Sequence, residues 1–127
     1  MGGRAAPIRV LIVDDQVPFA AMLETILADE DEVEVVARAT NGREAIELAE
    51  RLAPDVVVMD ITMPVMDGLE ATRRLRERLP GPRIIVLTES DLRSDAVRAE
   101  RAGADGYLPK TQIVTRLRAA IIDVASR

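Results

Sequence analysis

An acidic pair, Asp14-Asp15, directly follows the apolar run Ile8–Val13, and another acid, Asp60, follows the run Asp55–Met59. Thr88 follows a third run, Arg83–Leu87, and Lys110 stands just beyond a fourth, Gly106–Leu108. If these runs are strands of one sheet, three carboxylates, one hydroxyl and one ammonium meet on a single rim. Two carboxylates about 5 Å apart repel by roughly 3 kcal/mol at an effective dielectric near 20, and a third adds to that cost. A chain that builds such a cluster needs a hard cation or a proton to offset it. Oxygen-only donors favour Mg²⁺, with Mn²⁺ or Ca²⁺ as other candidates. Mg²⁺ at such a rim screens an incoming phosphate and stabilises charge during in-line transfer. A carboxylate can then act as nucleophile and become an acyl phosphate. Lys110 offers a point charge for phosphoryl oxygens, and Thr88 a hydroxyl donor.

Each residue alone also has a plainer role. Asp15 could cap the first helix, Asp60 could cap a turn, Thr88 could be a strand-end hydroxyl, and Lys110 a solvated charge. Tyr107 could be a half-buried packing residue. Their joint placement at successive strand ends is what singles them out.

Composition narrows the chemistry. The 127 residues suit one domain, and a globule of this length needs no covalent or metal staple to fold. Cysteine and histidine are absent, which excludes thiol catalysis, cysteine zinc sites, a Ser-His-Asp triad and a histidine phosphodonor within the chain. A net charge of −5, with Phe19 and Tyr107 as the only aromatics, argues against nucleic-acid binding by this segment. No apolar run approaches the roughly 18 residues needed to cross a bilayer, and Met1–Pro7 lacks the apolar stretch of a signal peptide. The expectation is a soluble, cytoplasmic protein without a membrane partner. It has a flexible tail over residues 1–7, one domain over residues 8–125, and no output domain within this chain.

The elements that must position the rim recur regularly. Apolar runs Ile8–Val13, Val33–Ala39, Asp55–Met59, Arg83–Leu87 and Gly106–Leu108 start 25, 22, 28 and 23 residues apart. The first, third and fourth show little alternation, as strands covered on both faces do. The second contains Glu34 and Arg38 and reads as an edge strand. Helical spacing lies between them: Phe19, Leu23, Ile26 and Leu27; Ala45, Ile46, Ala49 and Leu52; Leu69, Thr72, Leu75 and Leu79; a weaker helix from about Leu92 to Ala102; and Ile113, Leu117, Ile121 and Val124. Pro18 and Gly42 fall near helix starts, while Pro54, Gly81 and Pro82 punctuate ends. Such alternation requires an α/β, doubly wound parallel sheet with right-handed crossovers and helices on both faces. The site of such a fold lies beyond the carboxyl ends of its strands.

Across Ile8 to Val124 the sequence resembles the response-regulator receiver family of two-component systems. The segment Val58-Met59-Asp60-Ile61-Thr62-Met63-Pro64-Val65-Met66-Asp67-Gly68 is similar to the family's phosphoacceptor loop, with Pro64 and Gly68 at matching spacing. Asp14-Asp15 after Val10-Leu11-Ile12-Val13 matches the opening strand, and Gly103-Ala104-Asp105-Gly106-Tyr107-Leu108-Pro109-Lys110 resembles the last. Within the family, Glu34-Val35-Val36-Ala37-Arg38-Ala39-Thr40-Asn41-Gly42 and Gly68-Leu69-Glu70-Ala71-Thr72-Arg73-Arg74-Leu75 are most like the NarL/FixJ subgroup.

The resemblance implies a flavodoxin-like (βα)5 fold with strand order 2-1-3-4-5. It implies Asp60 as phosphoacceptor and Mg²⁺ ligand, Asp15 as direct ligand, Asp14 as ligand mainly through water, and the backbone carbonyl of Thr62 as the remaining protein ligand. Lys110 and Thr88 would hold phosphoryl oxygens, with Thr88 and Tyr107 switching together. A sensor histidine kinase is the implied donor, a homodimer is possible, and DNA would be reached only through a separate output domain that controls transcription. The implied protein is a switch that assists its own phosphotransfer and dephosphorylation, not an enzyme.

Three positions depart from the family pattern. Glu89 follows Thr88 where a small residue is usual, and could repel a phosphodonor or point to solvent. Pro109 removes a backbone donor before Lys110 and should weaken pairing at the end of the last strand. Thr62 carries a short neutral side chain. Two other readings stay open: a receiver-like interaction module that is no longer phosphorylated, which Glu89 motivates, and an enzyme on the same architecture. An aspartyl-phosphate hydrolase would place a second Asp at the position of Thr62. A flavodoxin would need a hydroxyl- and glycine-rich loop where Asp14-Asp15-Gln16 stands.

Overall fold

The computed structural model describes residues 6–29, 31–63, 66–89 and 93–127. Among these, five strands alternate with five helices: β1 (Ile8–Val13), α1 (Val17–Ala28), β2 (Val33–Ala39), α2 (Gly42–Leu52), β3 (Val56–Asp60), α3 (Gly68–Arg78), β4 (Arg83–Thr88), α4 (Arg93–Ala102), β5 (Gly106–Pro109) and α5 (Ile113–Ala125). One turn of 3₁₀ helix, Lys110–Gln112, joins β5 to α5. Residues 1–5 of the expected tail, Pro64 and Val65 of the loop after β3, and Leu92 at the expected start of the fourth helix lie outside the described residues.

The strands form one parallel sheet in the order β2-β1-β3-β4-β5, the flavodoxin-like order that the resemblance implied. The nearly continuous apolar runs of β1, β3 and β4 occupy the centre because each feeds two cores at once. Side chains alternate across a strand. Ile8, Val10, Ile12, Val56, Val58, Ile85 and Leu87 therefore meet α1 and α5, through Leu23, Leu27, Ile113, Leu117 and Ile121. Leu11, Val13, Val57, Met59, Ile84 and Val86 meet α2, α3 and α4, through Ala45, Ile46, Ala71, Leu75 and Ala99. Burying each such branched side chain contributes about 1.5–3 kcal/mol. β2 is at the edge, with Glu34 and Arg38 exposed, as expected.

Helix starts follow local chemistry. Asn41 caps α2 by accepting from the Glu44 N–H at 2.9 Å, and the Glu44 carboxylate accepts from the Thr40 N–H at 2.7 Å. Asp67 caps α3 through the Glu70 N–H at 2.9 Å. Pro18 lies in the first turn of α1.

Three strand ends run one residue further than the apolar runs indicated, through Asp60, Thr88 and Pro109. Pro109 stands opposite Thr88 at the last position of the β4–β5 register. β5 has a neighbour on one side only, and an edge strand tolerates a proline that donates no ladder hydrogen bond.

Candidate phosphoryl-transfer site

The sheet register brings the site together. Val13 lies opposite Met59, so Asp14 and Asp60 leave neighbouring strands at one level. Asp60 lies opposite Leu87, which puts Thr88 one step beyond it, and Thr88 lies opposite Pro109, which puts Lys110 at the next position. Gly68 lets α3 start close against this edge. A Cβ there would lie 2.0 Å from the Asp60 carbonyl oxygen, and the Gly68 N–H donates to the Ile61 carbonyl at 2.9 Å.

Asp14, Asp15 and Asp60 each present a carboxylate oxygen, all within 4.8 Å of one another. Asp14 and Asp60 are buried, and Asp15 is more exposed than either. Asp14 Oδ1 accepts from the Gln16 N–H at 2.8 Å. Its Oδ2 is buried without a hydrogen-bond partner among the described residues. Burial pushes Asp14 up to about 6, opposed by the Gln16 N–H and reinforced by Asp60. Asp60 is raised above its ordinary value by burial, against the pull of Lys110 and of the Thr62 N–H, which donates to Oδ1 at 3.3 Å. A buried carboxylate oxygen with nothing to bind, beside two more carboxylates, is the environment a hard divalent cation offsets. The all-oxygen donor set fits such an ion.

Lys110 Nζ sits 3.2 Å from Asp60 Oδ1 and 2.9 Å from Glu89 Oε1. Burial lowers the Lys110 ammonium, but the hydrogen bonds and charges of Glu89 and Asp60 outweigh it, and the net shift is upward. The Phe19 ring lies beneath the ammonium, 4.6 Å from Nζ to the ring centroid, a cation–π geometry. Phe19 was legible only as one apolar residue on the α1 face. Its place two residues into a helix that follows the acidic pair is the one signal that it borders the rim.

The structure brings together Asp14, Asp15, Asp60 and Lys110. Thr88 is fully buried at the end of β4. Tyr107 is half-buried and packs into the core on the α2–α3–α4 side. The Thr62 side chain is exposed, while its N–H faces Asp60. Asp15 does not cap α1. Gln16 is the N-cap residue and makes no side-chain cap, and it is Asp14 that turns the chain through the Gln16 N–H. Glu89 does not simply point to solvent, because it holds Lys110.

A family model for the response regulator receiver domain matches residues 10–122. The chain is 42% identical over 118 residues to the transcriptional regulatory protein DegU of Brevibacillus brevis, covering 93% of this chain and 50% of that protein. It is 48% identical over 99 residues to protein-glutamate methylesterase/protein-glutamine glutaminase 2 of Methanospirillum hungatei JF-1, covering 76% of this chain and 28% of that protein. Its fold matches the signal receiver domain of the response regulator NarL from Mycobacterium tuberculosis with a TM-score of 0.89 at 30% identity, covering 94% of this chain and 97% of that one. The chain thus spans half or less of the length of these two curated relatives. Among the described residues, no helix is long and apolar enough to cross a membrane.

Proposed function

Because the chain belongs to the response regulator receiver domain family, of the NarL-like kind, we propose that Asp60 is its phosphoacceptor, charged by a sensor histidine kinase in the cytoplasm. The observation that carries this reading is Asp60 itself: a buried carboxylate at a strand end, bonded to Lys110 and flanked by Asp14 and Asp15.

An Asp60 carboxylate oxygen attacks the donor phosphorus and forms an acyl phosphate. The donor's bond to phosphorus breaks, and its electron pair departs with the leaving group. Lys110 holds a phosphoryl oxygen as a point charge, and Thr88 donates its hydroxyl to another. Asp14, Asp15, Asp60 and the Thr62 carbonyl would hold Mg²⁺, which when bound offsets the carboxylates and screens the transferred phosphate. Thr88 and Tyr107 carry the switch outward.

The output is transcriptional control through a DNA-binding segment, by analogy with the transcriptional regulatory relative. The methylesterase relative offers a second reading, in which the same switch gates an enzyme. We propose that this domain is itself a switch and not an enzyme. With acetyl phosphate as donor and Mg²⁺ present, the parent gains one phosphoryl mass and Asp60→Asn gains none, with unchanged circular dichroism. Equal labelling of the two proteins refutes the assignment.

A further inference from the structure

Glu89 has two faces. Its Oε1 binds Lys110 Nζ at 2.9 Å, while its side chain remains 71% exposed. It also lines a cleft of about 310 Å³ with Thr62, Met63, Asp67, Asp95 and Arg98. That cleft borders the loop after β3 and contains three acids against one arginine, and the arginine pairs with Asp95 at 3.5 Å. Lys110 is therefore engaged by Glu89, Asp60 and the Phe19 ring together. A phosphoryl oxygen that needs Lys110 must share it with, or take it from, the Glu89 carboxylate.

We propose that Glu89 sets donor specificity, disfavouring small dianionic phosphodonors relative to donors of lower net charge by keeping a negative charge beside Asp60, at the Lys110 ammonium. The inference rests on Asp60 being the phosphoacceptor. Glu89 acts on the donor through the field of its carboxylate and is placed by its pair with Lys110, so it is a positioning residue. The transfer is the same for either donor: an Asp60 Oδ–P bond forms and the donor bond to phosphorus breaks. The electron pair leaves with acetate from acetyl phosphate. It leaves with ammonia from phosphoramidate, whose nitrogen already carries its protons. At neutral pH acetyl phosphate is a dianion, and phosphoramidate carries one negative charge fewer. One charge acting at about 6 Å through an effective dielectric of about 60 changes the relative rate by about fivefold.

Initial labelling rates with each donor, at equal Mg²⁺ and low salt, test this in the parent, Glu89→Gln and Glu89→Asp. The ratio of acetyl phosphate rate to phosphoramidate rate should rise about fivefold in Glu89→Gln. It should stay within about twofold of the parent in Glu89→Asp, which keeps the charge. A ratio that is the same in all three proteins overturns the proposal, as do rates that change together for both donors, because a merely structural role moves both alike. If the parent takes label from neither donor, the phosphoacceptor reading falls and this inference falls with it, an outcome distinct from an unchanged ratio.

Discussion

Asp14→Asn should stabilise the metal-free protein, and the gain should vanish as the pH falls. The folded state holds Asp14 at about 6 against an ordinary value of 3.8. A carboxyl group raised on folding prefers to be protonated in the native state. Its ionised form is therefore a penalty, fully present above the folded value and lost as pH falls toward the unfolded one. With those two values the penalty is about 3 kcal/mol at pH 7.5 and about 1 kcal/mol at pH 4.5. An asparagine keeps the acceptor for the Gln16 N–H. It still buries a polar group in place of the unpartnered Oδ2, which costs about 1 kcal/mol. The net gain at pH 7.5 is then about 2 kcal/mol, or roughly 5–10 °C in melting temperature for a domain of this size. Thermal melts of parent and variant in EDTA at both pH values measure the difference directly, and titration of the other carboxylates largely cancels in the comparison. Mg²⁺ added at pH 7.5 should raise the melting temperature of the parent more than that of the variant. A variant no more stable than the parent at pH 7.5, or a gain that persists at pH 4.5, would show that the buried charge of Asp14 is not a cost of this site.

Two further substitutions test how the scaffold holds the rim. Gly68→Ala places a Cβ 2.0 Å from the Asp60 carbonyl oxygen, where backbone must move. It should cost about 3 kcal/mol in urea unfolding and slow Asp60 labelling, and labelling at the parent rate would contradict the tight approach of α3. Arg76→Ala removes hydrogen bonds to the carbonyls of Gly103, Pro80 and Pro82 and the 2.6 Å pair with Asp105. Because this cluster is partly buried and lies away from Asp60, an expected loss of about 2 kcal/mol should leave the labelling rate unchanged. A slowed rate would mean that the far end of the sheet is coupled to the site.

Much of this protein is legible in its sequence because the signals are local. The unbroken apolar runs of β1, β3 and β4 mark central strands, Glu34 and Arg38 mark the edge, and the helical stripes give each helix its buried face. In a parallel sheet all carboxyl ends share one side, which sends Asp14, Asp15, Asp60, Thr88 and Lys110 to one rim. Gly68 was legible as part of a motif, but its physical reason, the approach to the Asp60 carbonyl, belongs to packing. The tertiary structure alone decided which oxygen each donor meets. Glu89 and Lys110 are 21 residues apart, and only the β4–β5 register and a choice of rotamer bring them together. The same is true of Phe19 beneath Lys110 and of the unpartnered Asp14 Oδ2. Residue type and spacing determine which groups reach the rim. Hydrogen bonds and ion pairs form over a few tenths of an ångström and a narrow range of angles, so only the folded register and side-chain packing determine which of those groups touch.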